Sequence, residues 1–78
     1  MINGYEIGTS VKWNEHNALQ NGIVEQVYRE DGIIEINDAP VHIKVAQDSP
    51  TYLIRKVDGS LLVLPHRNVI LKDATRHA

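Results

Sequence analysis

An all-β fold, a small five-stranded barrel with an extra β-hairpin arm around residues 32–46, is the architecture that this sequence predicts. Three observations lead to it. The apolar runs are short and rich in β-branched residues, as in "GIVEQVY", "TYLIRKV" and "SLLVL", and none sustains a helical period. Turn-forming pairs recur between them at Asn21-Gly22, Asp31-Gly32 and Asp58-Gly59. Prolines then punctuate the runs, with Ser49-Pro50 and Leu64-Pro65 each stopping a stretch that could not continue as a central strand.

Taken in order, Val11 and Trp13 flank Lys12 in "TSVKW", an alternation that turns one face of a first strand inward. The polar "NEHN" after it is expected to be a loop, and Asn21-Gly22 to supply positive-φ turn chemistry for the second strand. Val24 and Val27 are three apart rather than two, so a bulge near Glu25-Gln26 is needed to bring both inward, and it bends the strand. Asp31-Gly32 and the Asp38-Ala39-Pro40 cluster bracket two β-rich pieces, residues 33–36 and 41–45, which make the arm. In "TYLIRKVDGSLLVLP" two strands are joined at Asp58-Gly59, expected as a tight primed turn. Pro65 ends the fourth barrel strand, residues 65–68 form one 3₁₀-like turn, and residues 69–72 return as the last strand. The domain is expected over residues 8–72, with residues 1–7 an N-terminal extension and 73–78 a flexible tail. A bent second strand, a hairpin, a short polar turn and a brief final strand together describe a small SH3-like barrel.

The totals constrain what such a domain can do. A chain of 78 residues buries only about 60% of the surface that it exposes when unfolded. Its stability is therefore expected at roughly 4–12 kcal/mol, so each large core residue matters. It has no cysteine, hence no disulfide and no sign of an oxidising compartment. The start "MINGYEIGTS" lacks the basic and apolar regions of a signal peptide, and no run approaches the ~20 residues of a membrane span. A cytoplasmic protein with no membrane partner is expected.

Eight Lys+Arg against ten Asp+Glu give a net charge of −2, which disfavours a protein devoted to a phosphate backbone. The charge is unevenly spread. Glu25, Glu30, Asp31, Glu35 and Asp38 oppose only Arg29, whereas Arg55, Lys56, Arg67, Lys72 and Arg76 outnumber Asp58 and Asp73. Catalytic and metal motifs are lacking. His16, His42, His66 and His77 lie in separate segments with no close ligand pair, and the five glycines are isolated rather than grouped in a phosphate loop. No metal, no cofactor and no enzymatic activity are expected.

The segments "GTSVKWN", "GIVEQVY", "DSPTYLIRKVDG" and "PHRNVILK" resemble the hypervirulence-associated Tudor-like domains of bacteria and fungi, a family of unknown function. Family-like residues stand at Gly8, Val11, Trp13, Gly22, Val24, Val27, Asp48, Pro50, Tyr52, His66 and Leu71. The resemblance implies an SH3-like, Tudor-like barrel, and Tudor-like domains in general can enclose a methylated lysine or arginine in an aromatic cage. A second likeness is to the plasmid-borne type of dihydrofolate reductase, in the frame of "GSLLVLP". Leu62 and Leu64 stand where that enzyme's strand has glutamine and tyrosine, so the likeness bears on fold and self-association rather than on chemistry.

A non-enzymatic interaction module that binds protein is the expected function. Trp13, Tyr52, Arg55, His66 and Arg67 are its candidate contacts, although Trp13 and Tyr52 also suit a core with one polar edge satisfied. The alternative is nucleic-acid association through Arg55, Lys56, Arg67 and Lys72, with an aromatic ring as a stacking surface. One feature exceeds the needs of a small barrel: Leu61, Leu62, Val63 and Leu64 are apolar on both faces of one strand. Cover from the 32–46 arm, or from a second subunit in a homodimer, is expected there.

Overall fold

The computed structural model describes residues 4–72. Seven strands and one 3₁₀ turn follow in the order β1 (Ser10–Glu15), β2 (Ala18–Tyr28), β3 (Gly32–Ile36), β4 (Ala39–Ile43), β5 (Thr51–Lys56), β6 (Leu61–Pro65), the turn His66–Asn68, and β7 (Ile70–Leu71). They form an antiparallel five-stranded sheet ordered β6-β5-β2-β1-β7 and a separate β3-β4 hairpin. The all-β expectation and the arm are thus seen. The expected closure of the barrel is not seen as strand pairing: β6 and β7 are the sheet's two edges, bridged only by the 3₁₀ turn. The residues explain this, because Pro65 has no N–H to donate and β7 is only two residues long.

The β1–β2 connection differs from expectation in an instructive way. Asn14 and Glu15 belong to β1, and the turn is His16-Asn17, with both residues at positive φ (55° and 66°) as a primed turn needs. Asn21-Gly22 instead lies inside β2, opposite Lys12 and Val11. Gly22 is there for space. A Cβ on it would meet Ile54 Cγ2 at 2.6 Å, the Arg55 carbonyl oxygen at 2.7 Å and Trp13 Cη2 at 2.9 Å. Glycine lets β2 pass under the indole.

The bulge appears where the valine spacing put it. The β2–β5 register shifts between Val24 and Gln26, so Val24 is buried and Val27 packs against the same core. That core comprises Val11, Trp13, Val24, Tyr52, Ile54 and Val69, with Tyr5, Val27, Leu62 and Leu64 packed around it. Burial of each large side chain is worth about 1.5–3 kcal/mol. The Asp58-Gly59 connection is not a primed turn. Only Gly59 has positive φ (93°), its N–H donates to the Lys56 carbonyl at 2.9 Å, and Lys56 N–H donates to the Ser60 carbonyl at 2.8 Å. This is the longer hairpin loop whose left-handed glycine forms a bulge.

The arm has its own turn at Asn37-Asp38, both at positive φ. Two clamps hold its base: Val45 N–H donates to Asp31 Oδ1 at 2.8 Å, and Thr51 Oγ1–H donates to the Lys44 carbonyl at 2.7 Å. Ile43 at that base is buried. No ladder joins the arm to β6, so the expected cover over residues 61–64 is not strand pairing by the arm. Among the described residues no helix is long and apolar enough to cross a membrane. The expected tail at 73–78, with Arg76 and His77, lies outside the described residues, as do residues 1–3.

Candidate functional site

The hydrogen-bond phase of β6 determines what its free edge offers. His66 N–H donates to the Pro50 carbonyl, and Lys56 N–H to the Ser60 carbonyl, one bond at each end of the β5–β6 ladder. Antiparallel pairs alternate between bonded and non-bonded. With Tyr52 opposite Leu64 and Ile54 opposite Leu62, the bonded pairs between those ends are these two. The N–H and C=O groups of Leu61 and Val63, and the C=O of Pro65, therefore point away from β5. Pro65 sits where its missing N–H takes nothing from the ladder, as expected of an edge strand.

The same phase sorts the side chains. Leu62 and Leu64 turn to the core and pack on it. Leu61 and Val63 lie on the other face, beside Arg55 and Leu53. All residues of β6 are half-buried and none is charged. The free backbone edge and the apolar outer face thus occupy one strand.

The His66-Arg67 pair, which the sequence presents as a unit, divides. His66 Nδ1 lies 2.7 Å from Tyr52 Oη, and Tyr5 N–H donates to that same oxygen at 2.9 Å. The three rings pack on one another with centroids 5.1–5.8 Å apart. Tyr52 is fully buried, and the loss of hydration pushes its hydroxyl pKa above the usual tyrosine value. Rings packed directly together leave no gap for a cation between their faces. Arg67, by contrast, is exposed and lines a cleft of about 390 Å³ with Val63 and Pro65 on one side and His42 and Lys44 of the arm on the other.

Trp13 is likewise buried, 3% exposed, so its ring supports the sheet rather than a ligand. Its Nε1–H donates to Glu15 Oε1 at 3.2 Å, and this bond holds the Glu15 carboxyl below its ordinary range. Lys56 Nζ stands 3.6 Å from the same oxygen. Arg55 pairs with Glu25 at 2.5 Å. Arg55, Lys56 and Lys72 do line one cleft of about 320 Å³ with Asn21 and Ser10, but Arg67 is not among its walls. The four candidate nucleic-acid contacts are therefore divided between two clefts.

Among the described residues no three His, Asp or Glu side chains gather as a metal site. Sequence reasoning placed Tyr5 in an extension, whereas it packs on the core and bonds Tyr52. A Cβ on Gly4 would meet Tyr52 Oη at 2.5 Å, so the glycine before Tyr5 was the available signal for this close approach. An all-β domain with an uncharged free edge at β6 and a cleft beside it is the class that fold and site define. Compared with known proteins, the chain matches no family model, no curated protein and no solved structure.

Proposed function

We propose that this domain is a non-enzymatic, SH3-like and Tudor-like interaction module that receives an extended protein segment along the free edge of β6. The strand order, the bent β2 and the 3₁₀ turn before β7 support the SH3-like reading. The resemblance of "GTSVKWN" and "PHRNVILK" to Tudor-like domains supports the family reading. The observation that carries the function is the outward row of backbone groups at Leu61, Val63 and Pro65 on a strand that bears no charge. Natural edges are usually guarded by charges, proline, cover or twist; in β6 the only such residue is the last, Pro65, and the stretch before it is a template for strand addition. Main-chain bonds supply affinity, and the cleft beside Val63 and Arg67 takes side chains of the added strand.

A displayed library of random heptapeptides tests this. Selected peptides are expected to bind the wild-type domain and to lose binding to Val63→Pro. That substitution removes one outward N–H and leaves the β5 ladder intact. Peptides that bind both forms equally, or a library that yields no binder, would refute the edge as the site. The same titrations with single-stranded DNA and RNA at low salt address the nucleic-acid alternative.

A further inference from the structure

The cleft beside the free edge of β6 is basic, and we infer that the segment received there is acidic: it pairs with Leu61 and Val63 and lays an aspartate or glutamate side chain among His42, Lys44 and Arg67. This rests on the edge reading above and names the chemistry of the partner. The other walls of the cleft, Thr51, Val63 and Pro65 among them, carry no charge. Asp31, the acid at the base of the arm, accepts the Val45 N–H at 2.8 Å and is not one of the walls. The side chains of His42, Lys44 and Arg67 are exposed, and none has a hydrogen bond, ion pair or ring contact with a described residue.

The fold sets these cations at one end of the edge. Thr51 stands opposite Pro65 in the β5–β6 ladder, and its hydroxyl donates to the Lys44 carbonyl at 2.7 Å, which fixes Lys44 beside the end of β6. His66 N–H donates to the Pro50 carbonyl at 3.0 Å, and the 3₁₀ turn that starts there carries Arg67 to the same end. A residue paired with Val63 on an added strand sends its side chain to the face that Val63 occupies, which is a wall of the cleft. Pairing stops at Pro65, which has no N–H, so the residues that follow leave the ladder where Lys44 and Arg67 stand. The whole chain has a net charge of −2, so attraction for an acidic segment comes from this local group and not from the overall field.

The selected heptapeptides test this on the full chain. They are expected to be rich in Asp and Glu, and the same peptides made with Asn and Gln instead should bind about tenfold more weakly at low salt, by fluorescence anisotropy. Lys44→Gln and Arg67→Gln should each weaken the acidic peptides about two- to fivefold, whereas Lys12→Gln on β1, an equal loss of charge away from the cleft, should leave them unchanged. In the double variant Lys44→Glu, Arg67→Glu the preference should pass to peptides that carry lysine. Urea unfolding followed by Trp13 fluorescence checks that each variant folds. Asn and Gln peptides that bind as tightly, or a Lys12→Gln effect equal to that of Arg67→Gln, would overturn the inference; if Val63→Pro still abolishes that binding, the edge reading stands and only the acidic partner is excluded. A library without binders removes both. Single-stranded DNA or RNA whose binding is lost in the double variant, while the peptides bind unchanged, would assign the cleft to phosphate and overturn it. So would a wild-type dimer in sedimentation velocity that the peptides fail to dissociate, which gives the edge to a second copy.

Discussion

Replacing Gly22 with alanine opposes two effects of different sign, so its outcome discriminates. Gly22 carries no left-handed φ, and at such positions alanine ordinarily stabilises by about 0.4–1 kcal/mol by restricting the unfolded chain. Here the added Cβ would stand below 3.0 Å from three atoms that cannot easily move: the Arg55 carbonyl oxygen, the far edge of the buried Trp13 ring and a methyl of buried Ile54. Overpacking of that kind costs typically 1–3 kcal/mol. The net expectation is a loss of about 1–2 kcal/mol from a total of roughly 4–12. Urea unfolding followed by fluorescence of Trp13, the single tryptophan, should show the midpoint fall by about 1 M or more at unchanged slope. Gly32→Ala is the matched control, since nothing lies within 4 Å of its Cβ and its φ is not positive. If Gly22→Ala matched Gly32→Ala, or raised the midpoint, the steric account of β2 passing under the indole would be wrong.

Four further outcomes are expected. Tyr52→Phe removes the oxygen shared by Tyr5 N–H and His66 Nδ1 and should cost about 1–3 kcal/mol in urea unfolding. Because the Tyr52 pKa is raised by burial, its contribution is complete below the ordinary value of 10.0 and is lost as pH climbs through the raised one, so wild type should weaken above pH 10.0 more than Tyr52→Phe does. Ile54→Ala at the fully buried centre of β5 should cost about 2–5 kcal/mol by the same measurement. Arg55→Ala breaks a half-exposed pair with Glu25 and should change stability by at most about 1 kcal/mol, less still in 1 M salt.

What could be read in the sequence followed from short-range geometry. The three-residue spacing of Val24 and Val27 demands a bulge wherever those valines share a face, and Pro65 with the polar residues after it demands a break before "VILK". Both are present. Asn21-Gly22 shows where local reading fails, because an Asn-Gly pair is equally compatible with a turn and with a glycine required by a ring on the neighbouring strand. The true turn at His16-Asn17 carries no glycine, and asparagine's tolerance of positive φ was its only local signal. The site was less legible still. Tyr5, Tyr52 and His66 are joined by contacts spanning 47 and 14 residues of sequence, and no periodicity encodes such a meeting.

The division of His66 from Arg67 bears on which surface can act. Placing a buried tyrosine hydroxyl near the start of β5 requires partners for it, and Tyr5 N–H and His66 supply them; His66 is thereby committed to Tyr52, and Arg67 is left outside. Arg55 and Lys56 are similarly committed, each beside a glutamate, so of the cations lining their cleft only Lys72 has no acidic partner among the described residues. One free cation corresponds to a salt slope near one, far below the roughly 6–10 phosphate contacts of a duplex binder. Strand β6 has the opposite character. It carries no charge to satisfy, its outward N–H and C=O groups have no partner strand, and its outer face is apolar. Where Arg55 and Lys56 have found partners within the fold, this edge has not, and its chemistry is met most fully by another β-strand.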